Sequence, residues 1–260
     1  MKLSEALIDS LRLLLKEPKL FLPKLFVAAI YGFLMLWSAA IALGLFNAVA
    51  QGQGASIALA SLLPETALFF LSIFAAFIID VFVSAMYPSL AKNFEAKEKV
   101  SLSMALGFSL KKSAVVLPAA FFALIVSIAL IAIPSVFFGF LLATASMELV
   151  WLSIPVELAI IFATDFIFFY LFAEAVLGKG NFLGAVGKAF GLSGKNKKLT
   201  AIAALIPFSV SLMNYALAFL AETPAFLFLF ILMRFFMGLL AAYAAIVSPT
   251  IYLGLESQKK

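Results

Sequence analysis

The chain contains no cysteine and no histidine. Without cysteine it has neither a disulfide nor a thiolate nucleophile. Without histidine it lacks the imidazole that many zinc and haem sites and much acid–base catalysis require. No two carboxylates have the close spacing of an acidic metal motif. We therefore expect no metal site, no cofactor and no catalytic residues, and we expect the protein not to be an enzyme.

Charged residues are also scarce, at 12% of the 260 residues against 65% hydrophobic. The mean hydropathy is +1.18. A helix needs about 20 mostly apolar residues to cross the hydrocarbon core of a bilayer. The composition predicts an all-α polytopic membrane protein, with residues 1–260 forming a single integral membrane domain. The six predicted spans are Phe21–Phe46, Ala67–Leu90, Ala114–Thr144, Leu152–Leu177, Leu199–Leu220 and Ala225–Leu253.

The basic residues are confined to a few segments, since all of the eighteen lysines and arginines except Arg234 lie in 2–24, 92–112, 179–198 and 259–260. The alternate gaps, 47–66, 145–151 and 221–224, have none. Because basic residues resist translocation, we expect a cell-membrane protein whose basic loops and both termini are cytoplasmic. Lysines beside anionic head groups account for the net charge of +5, so we expect no nucleic-acid partner. The lysines predicted to lie at this interface are Lys16, Lys19, Lys111, Lys112, Lys195, Lys197 and Lys198.

Three cytoplasmic segments resemble one another. Residues 4–11 and 103–110 share serine, alanine, leucine, serine and leucine in register, and 185–190 keeps two small residues four apart. In the first segment, leucines 3, 7, 11 and 14 fall on one helical face and charged residues on another, which is typical of a helix in the interface plane. The small pairs would allow close packing against a neighbouring helix. The pattern predicts three parallel repeats of an interfacial helix and a transmembrane hairpin, at 1–91, 92–178 and 179–260.

The sequence has an interfacial helix with Ala-x-x-x-Ser before a span, and an acid, Glu174, lies at the end of the preceding span. This arrangement resembles the six-helix membrane domain attached to some bacterial glycerophosphodiester phosphodiesterases. Stand-alone bacterial and archaeal relatives of that domain are largely uncharacterised. The chain departs from the pattern with Ala189 at the serine position, and it lacks a phosphodiesterase domain. The resemblance therefore implies an architecture and supplies no catalytic residues.

Three ionisable residues lie well inside predicted spans: Asp80, Asp165 and Arg234. A charge near the bilayer centre costs at least about 2.5 kcal/mol, so it usually faces protein or water and has a partner. All three belong to the second helix of a hairpin. If the repeats pack around a common axis, both carboxylates would meet the guanidinium, with Asn214 adding a hydrogen bond. This cluster has two interpretations, a structural link between helices or a site for transport or lipid binding.

Two further acids, Glu157 and Glu174, lie near opposite ends of the fourth span. Water or lipid head groups can reach such positions, so we expect solvated end charges, although the resemblance gives Glu174 additional interest.

Two functions remain open. The first is a protein that binds or organises lipid, or scaffolds membrane partners, through its amphipathic helices. The alternative is a transporter or channel that passes a small solute, ion or lipid by the Asp/Arg cluster. Transporters often have paired interrupted spans in corresponding repeats. Three prolines, Pro23, Pro118 and Pro207, lie at span starts instead, which favours the first function. Expected partners are membrane lipids, with a membrane-protein partner or a homo-oligomer left open.

Overall fold

The computed structural model describes residues 3–52, 57, 60, 62–144, 153–221 and 223–258, with the side chains of 137–144, 219 and 224 excepted. The predicted outer loop at 145–151 and part of that at 47–66 lie outside these ranges. Within them the chain is helical and has no β-strand. The helices are α1 (Leu3–Lys16), α2 (Leu22–Ala50), α3 (Leu63–Glu95), α4 (Leu102–Lys111), α5 (Ser113–Thr144), α6 (Ser153–Ile167), α7 (Leu171–Leu177), α8 (Phe182–Lys195), α9 (Lys197–Ala221) and α10 (Leu227–Ser257), with short 3₁₀ turns at Pro18–Phe21 and Pro224–Phe226.

Within the described ranges, six helical segments are long and apolar enough to cross a membrane, with mean hydropathies of 1.7 to 2.8 in their most apolar windows. This confirms the prediction of an all-helical chain with six helices that could span a membrane. Some helices extend past the predicted ends, as α3 does on both sides, because helical hydrogen bonding continues into polar flanking sequence. Large apolar side chains such as Phe33, Phe70 and Phe228 are exposed on the outside of the bundle, as lipid-facing residues would be.

The fourth span is not the continuous helix that the sequence predicted. Helix α6 ends at Ile167 and α7 begins at Leu171, with a turn at 168–170 between them. The amide of Leu171 donates to the carbonyl of Phe168 (2.9 Å), and the hydroxyl of Ser248 on α10 donates to the carbonyl of Phe169. Irregular backbone inside a membrane is stable only where protein or water satisfies its polar groups. No proline or glycine lies in this turn, so the sequence contained no sign of it.

The spanning helices pack in a closed ring. Helix α2 contacts α3 and α10, α10 contacts α9, α9 contacts α6, α6 contacts α5, and α5 contacts α3. The second helices of the three hairpins also meet one another inside the ring, where α3 contacts both α7 and α10, and α7 contacts α10. The centre of the molecule is therefore built from α3, α7 and α10. The equivalence of the three predicted repeats stays a prediction.

A short helix precedes the first span of each hairpin: α1 before α2, α4 before α5 and α8 before α9. Each packs against the second spanning segment of a hairpin, α1 on α10, α4 on α3 and α8 on α7. The small residues four apart face these contacts, since all six are at most 2% exposed: Ala6, Ser10, Ala105, Ser109, Ala185 and Ala189. Their short side chains allow the helix backbones to approach closely.

The predicted apolar face of α1 is only partly buried in the structure. Leu14 is fully buried, whereas Leu11 is 47% exposed. The helix is rotated so that Ala6 and Ser10 face α10, because those two residues permit the closest contact. Leu11 then lies on a second apolar side, together with exposed Ile8 and Leu15.

Candidate functional site: a cavity with charged residues between the six spans

A cavity of about 420 Å³ lies between the spans, and all six spans contribute to its lining. Most of its wall is apolar and includes Phe77, Phe168 and Phe172. Its polar lining residues are Lys24, Asp80, Ser84, Ser127, Thr164, Asp165, Ser211 and Ser248. A mainly apolar pocket of this size with a few converging polar groups is typical of a small-molecule site.

Lys24 and Asp80 form an ion pair across one side of the cavity. The ammonium of Lys24, on α2, donates to Oδ1 of Asp80 (2.6 Å) and to Oγ of Ser84 (2.7 Å), both on α3. Asp80 and Ser84 are one helical turn apart, so their oxygens lie on one face and hold the ammonium together. Ser84 also donates to Asp80 at 3.3 Å. Lys24 is only 8% exposed.

Lys24 was not among the site residues predicted from the sequence, where it counted with the basic residues that orient the chain. A usable signal was present, because Lys24 is the only lysine within the six predicted spans. A cation inside a span normally faces an acid or water, and this position alone could have indicated a partner for Asp80.

Asp165 lies within one turn of the end of α6, just before the break that separates α6 from α7. Its carboxylate accepts a hydrogen bond from Ser211 of α9 at 3.4 Å. Among the described residues Asp165 has no ion pair. With its ionisable groups charged, the cavity thus has two carboxylates and one ammonium. Its formal charge is −1.

Arg234 does not join this cavity, so the prediction that it pairs with both aspartates is wrong. Its Nε donates to the carbonyl of Ala28 (2.7 Å) and its Nη1 to Oδ1 of Asn214 (2.5 Å), and it also contacts two methionine sulfurs. It is 5% exposed. The nearest lining residue of α10, Ala241, is seven residues away, or about 10 Å along the helix. Neither Arg234 nor its partners Ala28 and Asn214 line the cavity.

Space for the Arg234 side chain comes from Gly32 on α2. A Cβ at Gly32 would lie 3.2 Å from Cγ and 3.3 Å from Nε of Arg234. The guanidinium therefore rests against a helix backbone and is held by two neutral acceptors, a side-chain amide and a main-chain carbonyl. The arrangement is that of a link between α2, α9 and α10.

Glu174 differs from the solvated end charge that we expected. Its side chain is 4% exposed, with Oε1 accepting from Lys188 of α8 (3.0 Å) and Oε2 from the hydroxyl of Tyr252 (2.7 Å). It is buried because α8 and α10 both cover the end of α7. Glu157, on the other hand, lies near the start of α6, is partly exposed and does not line the central cavity.

The lysines predicted to lie at the interface are largely exposed. The exception is Lys112, which is partly buried and donates to the carbonyl of Gly178 (3.2 Å). Lys19 pairs with Glu17 (2.9 Å), and the ammonium of Lys16 lies 5.9 Å from the centre of the Phe94 ring. The others, Lys111, Lys195, Lys197 and Lys198, project from the surface.

Within the described ranges, no three acids converge in a way that would hold a metal ion. What the central site can do chemically is bind a positively charged group. Asp165 supplies a carboxylate that lacks an ion-pair partner among the described residues, and Phe168 and Phe172 line the same cavity.

No protein-family model matches the chain, and no similar protein was found among the curated proteins or the solved structures. The resemblance to the membrane domain of the phosphodiesterases accordingly stays a prediction.

Proposed function

We propose that the protein binds a small cationic solute or an inorganic cation in the central cavity and carries it across the membrane. This is the alternative interpretation of the sequence, and the geometry favours it over a role in organising lipid. The observation that carries the proposal is a cavity, lined by every span, that holds two carboxylates and one ammonium, with the ammonium paired to Asp80 and not to Asp165.

The formal charge of the central cavity favours a cationic ligand. A carboxylate inside a membrane normally has a partner. Asp80 is paired with Lys24, whereas among the described residues Asp165 receives only the hydroxyl of Ser211. A cation at Asp165 would bring the formal charge of the cavity to zero. Phe168 and Phe172 would present ring faces to an organic ammonium, which aromatic rings attract.

The turn that interrupts the fourth span lies at the site. Residues Thr164, Asp165, Phe168 and Phe169, which lead into and form part of the turn, all line the cavity. Discontinuous helices at the binding site are a recurring feature of transporters. Pro249, inside the continuous helix α10, also lines the cavity, so prolines are not confined to span starts. The positions of the prolines therefore no longer count against transport.

Flux measurements test the proposal. Purified protein in liposomes would be assayed with three probes: protons followed by internal pyranine, ²²Na⁺, and radiolabelled methylammonium. We expect protein-dependent flux of at least one probe, and we expect Asp165→Asn to abolish it because the amide has no charge to balance the cation.

Glu157→Gln is the matched control, because it changes an acid to its amide on the same helix but outside the cavity. It should retain the flux of the parent protein. Absence of flux for all three probes in the folded parent, or equal flux in the parent and Asp165→Asn, would overturn the proposal.

We also propose that the finer architecture is the one that the sequence predicted: three parallel repeats in the cell membrane, with α1, α4 and α8 at the cytoplasmic surface. Exposed apolar side chains support this location, since Leu11, Met104 and Phe190 extend from these helices beside exposed lysines. Helices with one apolar and one basic side lie at the head-group boundary of anionic membranes.

A further inference from the structure

A second cavity, of about 870 Å³, lies at the side of the molecule where the basic segments are found. We call it the basic groove. It is formed by the end of α7 and the residues that follow it, one side of α8, and the last turns of α10. Its lining residues are Glu174, Leu177, Gly178, Lys179, Gly187, Lys188, Gly191, Leu192, Lys195, Asn196, Tyr252, Leu255, Glu256 and Gln258.

The acid at the base of the groove is already occupied. Both oxygens of Glu174 accept hydrogen bonds, one from Lys188 and one from Tyr252, and the carboxylate is buried. Lys188 therefore lines the groove with its ammonium paired to Glu174, while its side chain remains 60% exposed. Glu256 is the other acid of the lining, at the rim.

Two lysines of the groove have no such partner. Lys179 and Lys195 make no ion pair or hydrogen bond with any residue that the structure describes, and both are exposed. With Lys188 they place three ammonium groups around one concave surface. Glu174 offsets the charge of Lys188, and Glu256 offsets one more, so the three lysines and two acids of the lining leave one positive charge in excess. That excess would attract an anion.

The floor of the groove suits an amphiphilic anion. Gly187 and Gly191 are one helical turn apart on α8, and a Cβ added to either would meet nothing within 4 Å. Their lack of side chains opens the helix surface between the lysines. Leu177, Leu192 and Leu255 supply apolar contacts in the same cavity. A group with an anionic head and an adjoining apolar body would use both features.

We propose that the basic groove binds the anionic head group of a membrane phospholipid, with Lys179 and Lys195 contacting the phosphate and the leucines contacting the glycerol and upper acyl chain. Lysine is a common ligand of phosphate in proteins. The site is separate from the central cavity and does not depend on its function. A phospholipid bound there would hold α8 at the membrane surface.

Binding to the full-length protein in detergent micelles tests this proposal. A fluorescent short-chain phosphatidylglycerol would be titrated, with phosphatidylcholine carrying the same label as a comparison. We expect the Lys179→Gln/Lys195→Gln variant to bind phosphatidylglycerol at least about tenfold more weakly than the parent, since each lysine near an anionic surface contributes measurably to affinity. Phosphatidylcholine should bind more weakly than phosphatidylglycerol and be insensitive to the substitutions.

Lys197→Gln/Lys198→Gln is the matched control, because it removes the same charge from exposed lysines of the same segment that do not line the groove. It should reduce the affinity much less. An equal reduction in both double variants would mean diffuse electrostatic attraction and would overturn the site.

A variant that keeps all charges separates binding from folding. A Cβ at Gly191 or at Gly194 would meet nothing within 4 Å, so both helix positions have space for a side chain. Gly191 lines the groove and Gly194 does not, so Gly191→Leu fills the groove and Gly194→Leu leaves it open. We expect only Gly191→Leu to weaken binding. Displacement of the lipid by millimolar glycerol 3-phosphate or inorganic phosphate would indicate a soluble phosphate ligand and would refute the assignment to lipid.

Discussion

Lys24 and Asp80 are joined at 2.6 Å although 56 residues separate them in the chain. The pair ties the first helix of the bundle to a helix at its centre. It also neutralises one of the two carboxylates of the cavity, which leaves Asp165 as the group available to a ligand.

Loss of either partner of this pair should destabilise the protein. Lys24→Met leaves the Asp80 carboxylate without its cation, and Asp80→Asn leaves a buried ammonium without an anion. We expect each single substitution to lower the free energy of unfolding by about 3 kcal/mol, the low end for a buried pair because Asp80 is partly accessible from the cavity.

A double-mutant cycle in mixed detergent micelles, with unfolding followed by circular dichroism, would measure the coupling. The combined Lys24→Met/Asp80→Asn variant should lose clearly less than the sum of the two single losses, because neither charge is then left alone. Strict additivity would mean that the two side chains do not interact in the folded protein.

Gly178 makes the burial of Glu174 possible. A Cβ at this position would overlap both Oε1 and the carbonyl oxygen of Glu174. Gly178→Ala should therefore lower the free energy of unfolding by about 1–3 kcal/mol, as overpacking does. Gly194→Ala is the control, since its Cβ would meet nothing and alanine favours a helix, so its stability should be unchanged or about 1 kcal/mol higher. Similar midpoints of thermal unfolding for the two variants would contradict this account.

The class of the protein and its six spans could be predicted from the sequence because hydropathy and length depend on local composition alone. The small residues of α1, α4 and α8 were also identifiable as packing positions, since Ala6 and Ser10 share a helical face at a spacing of four. All six such residues are buried.

The partners of Asp165 and Arg234 could not be predicted, because they depend on the axial offset and rotation of helices that are remote in sequence. Arg234 and Asp165 both lie well inside predicted spans, yet α10 lines the cavity only from Ala241 onward. The break after Ile167 was hidden for a similar reason, because a hydroxyl on another helix, that of Ser248, accommodates it.

The absence of cysteine allows a direct test of the predicted orientation, since any cysteine introduced is the only one in the chain. Gln51 and Ser103 are both exposed. Gln51 directly follows α2, and Ser103 lies in α4, so the spanning helix α3 separates them in the chain. In intact cells, a membrane-impermeant maleimide should label Gln51→Cys and leave Ser103→Cys unlabelled until the membrane is permeabilised. Equal labelling of the two variants before permeabilisation would place residues 47–66 and 92–112 on one side and refute the topology.

Arg234 and Asn214 should matter for stability and have little effect on transport. Asn214→Ala removes the acceptor that lies 2.5 Å from Nη1, and hydrogen bonds to charged groups contribute about 1.5–3 kcal/mol. Asn214→Asp keeps an acceptor and adds a negative charge, so it should retain the stability of the parent or exceed it. In the liposome assay, the folded fraction of the Asn214→Ala variant should transport the cation that the parent protein transports, and at the parent rate. The reason is that the cavity residues are unchanged. A loss of flux in folded Asn214→Ala comparable to that of Asp165→Asn would mean that the guanidinium belongs to the transport site after all.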